Sequence, residues 1–139
     1  MFTSVSTRSA SAYKRASIEA SVDMADPHQL VCLLFDALKR TIGSARLAME
    51  SGDIPAKCKH IGSAVRILEE GLKAPLDLDK GGELAANLNA LYDYCVTRLV
   101  FANARNDLTI LDEVSRLIEP VAGGWKLIEG NGPAYLRPV

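Results

Sequence analysis

At 139 residues the chain has the length of one domain and can bury a sizeable core. Apolar residues make up 48% and charged residues 24%, a globular balance that excludes a wholly disordered chain. A net charge of -1 with no basic stripe argues against nucleic acid, whose phosphates call for a concentrated positive face.

The opening MFTSVSTR is polar and lacks the apolar centre of a signal peptide. The longest apolar run, LVCLLF, stops at Asp36, far short of a membrane span. A cytosolic protein without membrane insertion is expected. Cys32, Cys58 and Cys95 are widely spaced and no CxxC occurs, so reduced, mostly buried thiols are expected rather than a zinc clamp or redox pair.

Residues 1–25 are rich in Ser, Ala and Thr. Within them AYKRASIEASV suits a short helix presenting Tyr13, Ile18 and Val22, with too little apolar surface to act as a core element alone. The first strong helix opens at Asp26, an N-cap followed by Pro27 at the first helical position and Gln29 to close a capping box. Leu30, Leu34, Leu38, Ile42, Ala45 and Met49 form its stripe, Val31 and Phe35 lie off it, and Gly52 stops it. Asp53 and Pro55 start a second helix carrying Cys58, Ile61, Val65, Leu68 and Leu72, closed by Pro75. The link between these helices is about two residues, which forces an antiparallel hairpin.

After the longer link APLDLDKGG, a third helix over residues 83–104 carries Leu84, Leu88, Leu91, Tyr92, Cys95, Leu99 and Ala102. Asn106 or Asp107 caps a fourth, with Ile110, Leu111, Val114, Leu117, Ile118, Val121, Trp125 and Ile128 inward. Pro120 predicts a kink there, and Gly123-Gly124 a weak turn. The pattern predicts an all-α, antiparallel up-down four-helix bundle over residues 26–129, preceded by a cap segment (1–25) and followed by a flexible tail (130–139).

The polar inventory offers no catalytic, cofactor or metal site. There is no ExxH of a di-iron bundle, and His28 and His60 lack convergent partners. The adjacent acidic pairs Glu69-Glu70 and Asp112-Glu113 diverge around a helix, and neither glycine pair belongs to a phosphate loop. Surplus hydrophobicity is the informative feature. Tyr92 and Tyr94 stand about 200° apart around the third helix, so only one can face the core. Tyr92 fits the core, which leaves Tyr94 beside Arg98 on one flank and Val96 and Val100, near Asn103, on the other. Such flanks either pack under links and tails or form a groove for a partner's amphipathic segment. Residues 12–22 could shield that groove.

Four stretches carry a resemblance: AYKRASIEASV, DPHQLVCLLFDALKRTIGSARLAM, NLNALYDYCVTRLVFANARND, and Trp125 near the end. In this order and spacing the chain closely resembles the flagellin-specific export chaperones of bacterial flagella, the FliS family, over nearly all of residues 12–128. The resemblance implies a cytosolic bundle that binds the disordered C-terminal segment of flagellin, prevents premature polymerisation and helps delivery to the type III export gate, without cofactor. It also implies that the N-terminal segment covers part of the client site, with Tyr13, Ile18 and Val22 as the covering residues. Tyr92, Tyr94, Arg98 and Asn103 fall at matching motif positions on the third helix. Ala37 and Thr97 depart from residues common in the family, and Pro120, Gly123-Gly124 and the tail depart along the fourth helix. A regulatory adaptor using the same groove for another flagellar protein is the second reading, and a cofactor-carrying bundle the third. An uncovered groove could also pair with a second copy.

Overall fold

The computed structural model describes residues 26–128. The N-terminal segment with Tyr13, Ile18 and Val22, and the tail over 130–139, lie outside the described residues. Within them four helices are joined by a short, a long and a short link: α1 Pro27–Ser51, α2 Ile54–Arg66 continuing as a π-helix Ile67–Lys73, α3 Gly82–Arg105 and α4 Leu108–Leu127. No strand occurs among the described residues.

Each start and stop has a local cause. The Asp26 carboxylate accepts from Gln29 N at 2.7 Å and the Gln29 side chain returns the bond to Asp26 N, so two orphan amides of α1 are satisfied reciprocally. Gly52 ends α1 with φ 75°, a left-handed conformation that costs glycine least. Asp53 at once caps α2 by accepting from Ala56 N. Asn106 ends α3 with φ 51°, and Asp107 caps α4 by accepting from Thr109 N.

Packing follows chain order. α1 lies against α2 and α4, and α3 lies against α4 and α2, so successive helices are neighbours and α4 closes onto α1. With two-residue links at 52–53 and 106–107, this is the predicted up-down bundle. Its core is Phe35, Leu38 and Ile42 from α1, Ile61, Leu68 and Leu72 from α2, Tyr92, Cys95 and Leu99 from α3, and Leu111, Val114 and Ile118 from α4.

Several residues differ from the expected stripes. Phe35 is 1% exposed and belongs to the core, whereas Leu30 and Leu34 are only half-buried. The core-facing line of α1 is therefore turned toward 35, 38, 42 and 45, because the helix is gripped between α2 and α4. Leu84 is exposed and Ala85, one position on, is buried in its place, so the inward line of α3 starts one residue later than its leucine spacing suggests. Cys58 is exposed and Lys57 is buried beside it; Cys95 is buried and Cys32 half-buried. Burial pushes the Cys95 thiol up to about 11, which keeps it protonated and inert.

One backbone feature is not expected from the sequence. α2 widens into a π-helix over its last turns, where Ala74 N bonds Glu69 O five residues back. As the stripe through Trp125 predicts, α4 continues past Pro120 and Gly123-Gly124 to Leu127, whereas Ile128, expected inward, leaves it in an extended conformation and is exposed. Pro120 faces solvent, while Ile118, Ala122 and Trp125 on the opposite face are buried and anchor the turns on either side.

Candidate functional site

The two tyrosines of α3 separate as their spacing requires. Tyr92 is 3% exposed within the core, and Tyr94 is 45% exposed. Tyr94 lies on the side of α3 that meets α4. Its hydroxyl donates to Glu113 Oε2 at 2.8 Å, and Arg98, one turn on, donates from Nε to Glu113 Oε1 at 2.6 Å. One carboxylate of α4 thus ties two residues of α3. The Arg98 bond first, then the Tyr94 bond, hold the Glu113 carboxyl below its ordinary value; the same contact raises the Tyr94 phenol. Farther along this side Arg105 lies over the ring of Phe101, 5.0 Å from its centroid.

On the other flank Val96 is half-buried against the core and Val100 is 56% exposed. Asn103 faces α2, where its Oδ1 accepts weakly from the Cys58 thiol at 3.5 Å. Its carbonyl accepts from Lys57 Nζ at 2.8 Å, and the same ammonium donates to Asn106 Oδ1. Lys57 therefore supplies hydrogens to the end of α3, where the last carbonyls have no helical partner and the helix dipole favours a cation. Lys57 escaped the sequence reading because a lysine is not expected inside, yet its stem packs while its head caps a neighbouring helix. The candidate residues of α3 are thus split between two flanks, with Tyr94 and Arg98 toward α4 and Asn103 toward α2.

A further feature was visible only in three dimensions. An apolar recess of ≈ 60 Å³ opens beside α1 and the end of α2, with walls that include Leu30, Val31, Leu34, Leu72, Tyr92 and Trp125. Leu34 and Gly71 also line a broader surface groove of ≈ 410 Å³ along the α1–α2 seam, whose rim carries Arg66 and Glu70. Gly71 permits this close approach, because a Cβ there would stand 3.1 Å from Leu34 Cδ2. The leucines at 30 and 34, read from sequence as core, are walls of this recess. Their regular spacing was the available signal, but periodicity cannot tell a core wall from a groove wall.

At the edge of the recess His28 and Trp125 hold each other. The Trp125 indole N–H donates to the His28 carbonyl at 3.1 Å, His28 Nε2 donates to the Trp125 carbonyl at 2.7 Å, and the rings stack 5.7 Å apart. His28 is thereby a structural clasp. Among the described residues no group of three His, Cys, Asp or Glu is placed to hold a metal ion, and no helix is long and apolar enough to cross a membrane.

The amino-acid sequence matches known proteins along most of its length. The family model described as "Flagellar protein FliS" matches residues 9–132. The chain is 46% identical over 117 residues to the flagellar secretion chaperone FliS of Salmonella typhimurium, covering 84% of this chain and 87% of the relative. It is 48% identical over 113 residues to the flagellar secretion chaperone FliSB of Pseudomonas aeruginosa, covering 81% and 89%. The FliS of Bacillus subtilis is 33% identical over 106 residues, covering 76% and 77%. A family model that spans nearly the whole chain, together with relatives this similar over most of their own length, shows that the chain belongs to the FliS family of flagellar secretion chaperones.

Proposed function

We propose that the protein is a cytosolic chaperone for flagellin, binding the disordered C-terminal segment of the newly made client and helping to deliver it to the flagellar export apparatus. The observation that carries this reading is the open apolar recess continuing into the α1–α2 groove. A segment that folds on binding loses conformational entropy, and a small bundle compensates only by offering apolar contact over a long path. The exposed Tyr94 and Val100 add apolar surface on two separate flanks of α3, away from the recess. On this reading Tyr94, Val96, Arg98, Val100 and Asn103 contribute to the client surface. Residues 1–25, through Tyr13, Ile18 and Val22, shield part of it in the free protein. Binding by contact alone needs neither cofactor nor metal.

Calorimetry with flagellin from the same organism tests the reading. Intact flagellin should bind near 1:1 with a strongly negative heat-capacity change, and flagellin lacking its C-terminal segment should not bind. Equal binding of both forms would overturn the proposal.

A further inference from the structure

The wall of the recess formed by Trp125 comes from a part of α4 that has little intrinsic stability. Pro120 removes one helical hydrogen bond, and Gly123 and Gly124 directly precede the tryptophan. The helix ends two residues later, so the Trp125 carbonyl belongs to the last turn and lacks a partner within the helix. Ile128 N reaches it at 3.2 Å, and His28 supplies the second, shorter bond from 97 residues away. The imidazole also stacks on the indole with an interplanar angle of 18°. His28 itself is fixed, standing in the first turn of a helix whose capping box is complete. A rigid residue therefore holds a loosely built one.

We propose that His28 is a positioning residue: it fixes the Trp125 ring as a wall of the recess and so sets how tightly the recess accepts an apolar side chain of the flagellin C-terminal segment. The inference rests on the function proposed above for its ligand, but the positioning itself can be read without any ligand. Trp125 is the only tryptophan, so its emission reports the wall directly.

Three variants of the full chain separate the contributions. His28→Gln keeps a side-chain N–H donor at similar reach without the ring, His28→Phe keeps a ring without the donor, and His28→Ala loses both. Accessibility of Trp125 to acrylamide should be lowest in the wild type, intermediate in the Gln and Phe variants, and highest in the Ala variant. Affinity of His28→Ala for the C-terminal segment of the same organism's flagellin should fall about fivefold to tenfold, the scale of one lost hydrogen bond with its stacking, and His28→Gln should recover most of it. A purely structural role would lower the unfolding midpoint without this graded response in quenching.

The proposal is overturned if folded His28→Ala shows wild-type quenching, or if it loses affinity while Trp125 accessibility stays unchanged. If His28→Ala does not fold, the Gln and Phe variants decide by the same criteria. Failure of the wild type to bind the segment would overturn the functional reading and the affinity part of the proposal. The quenching series would still establish or refute the positioning.

Discussion

Lys57 shows how much a single side chain can hold. Only 4% of it is exposed, and its ammonium serves the Asn103 carbonyl and the Asn106 side chain at the end of α3. Lys57→Met keeps most of the stem's bulk but leaves both acceptors without this donor. The expected cost is about 1–3 kcal/mol in urea unfolding, and a loss below about 0.5 kcal/mol would refute the capping role. Glu113 carries a different signature, because Arg98 and Tyr94 depress its folded-state pKa. A depressed carboxyl contributes stability above its unfolded value and loses it as pH falls through the folded one. The thermal midpoints of wild type and Glu113→Gln should therefore differ at neutral pH and converge on the acid side of the ordinary carboxylate range. Asp112, depressed by its bond from Arg46, should leave the variant some acid sensitivity of its own. A gap between the two proteins that stays constant with pH would show that Glu113 is not held by this pairing.

At the scale of elements, glycines on two helices invite opposite outcomes. A Cβ at Gly124 meets nothing within 4 Å, and the backbone there is helical. Gly124→Ala should then stabilise the protein by about 0.5–1 kcal/mol by restricting the unfolded chain. Gly71→Ala places a methyl 3.1 Å from Leu34, so Leu34 must move at the junction of recess and groove. Its gain should be smaller or negative, and a gain equal to that of Gly124→Ala would show that the close approach imposes no constraint. These contrasts mark where sequence was legible. Capping residues fixed the helix boundaries to within a residue or two at most ends, because Asp26, Gly52, Asp53 and Asp107 act locally. The separation of Tyr92 from Tyr94 followed from helical geometry alone. What could not be read depends on neighbours: the turn of α1 that buries Phe35, the exchange that buries Ala85 and exposes Leu84, the inward Lys57, and the π-helical widening beside Leu34. The recess belongs to this second group, since residues of all four helices build it. The proposed client comes from the family resemblance alone; periodicity points only to surplus apolar surface.

At the scale of the whole molecule, one compact core coexists with an open apolar recess, and a free chaperone that presented such a surface unshielded would invite self-association. The proposed cover is the segment over residues 1–25, which joins the bundle at Asp26 immediately before Pro27, itself a wall of the recess. A tethered cover competes with the client at high effective concentration, so the apparent dissociation constant is the intrinsic one divided by the uncovered fraction. Deleting residues 1–22 removes that competition without touching the capping box of α1. If the cover occupies the recess about nine-tenths of the time, the flagellin C-terminal segment should bind about tenfold more tightly to the truncated chain. The same truncation should raise binding of an apolar dye and promote concentration-dependent self-association, measurable by sedimentation. Affinity, dye binding and monomeric state all unchanged from full length would sink the cover. Tighter client binding without self-association would keep the cover and show that the uncovered surface does not suit a second copy.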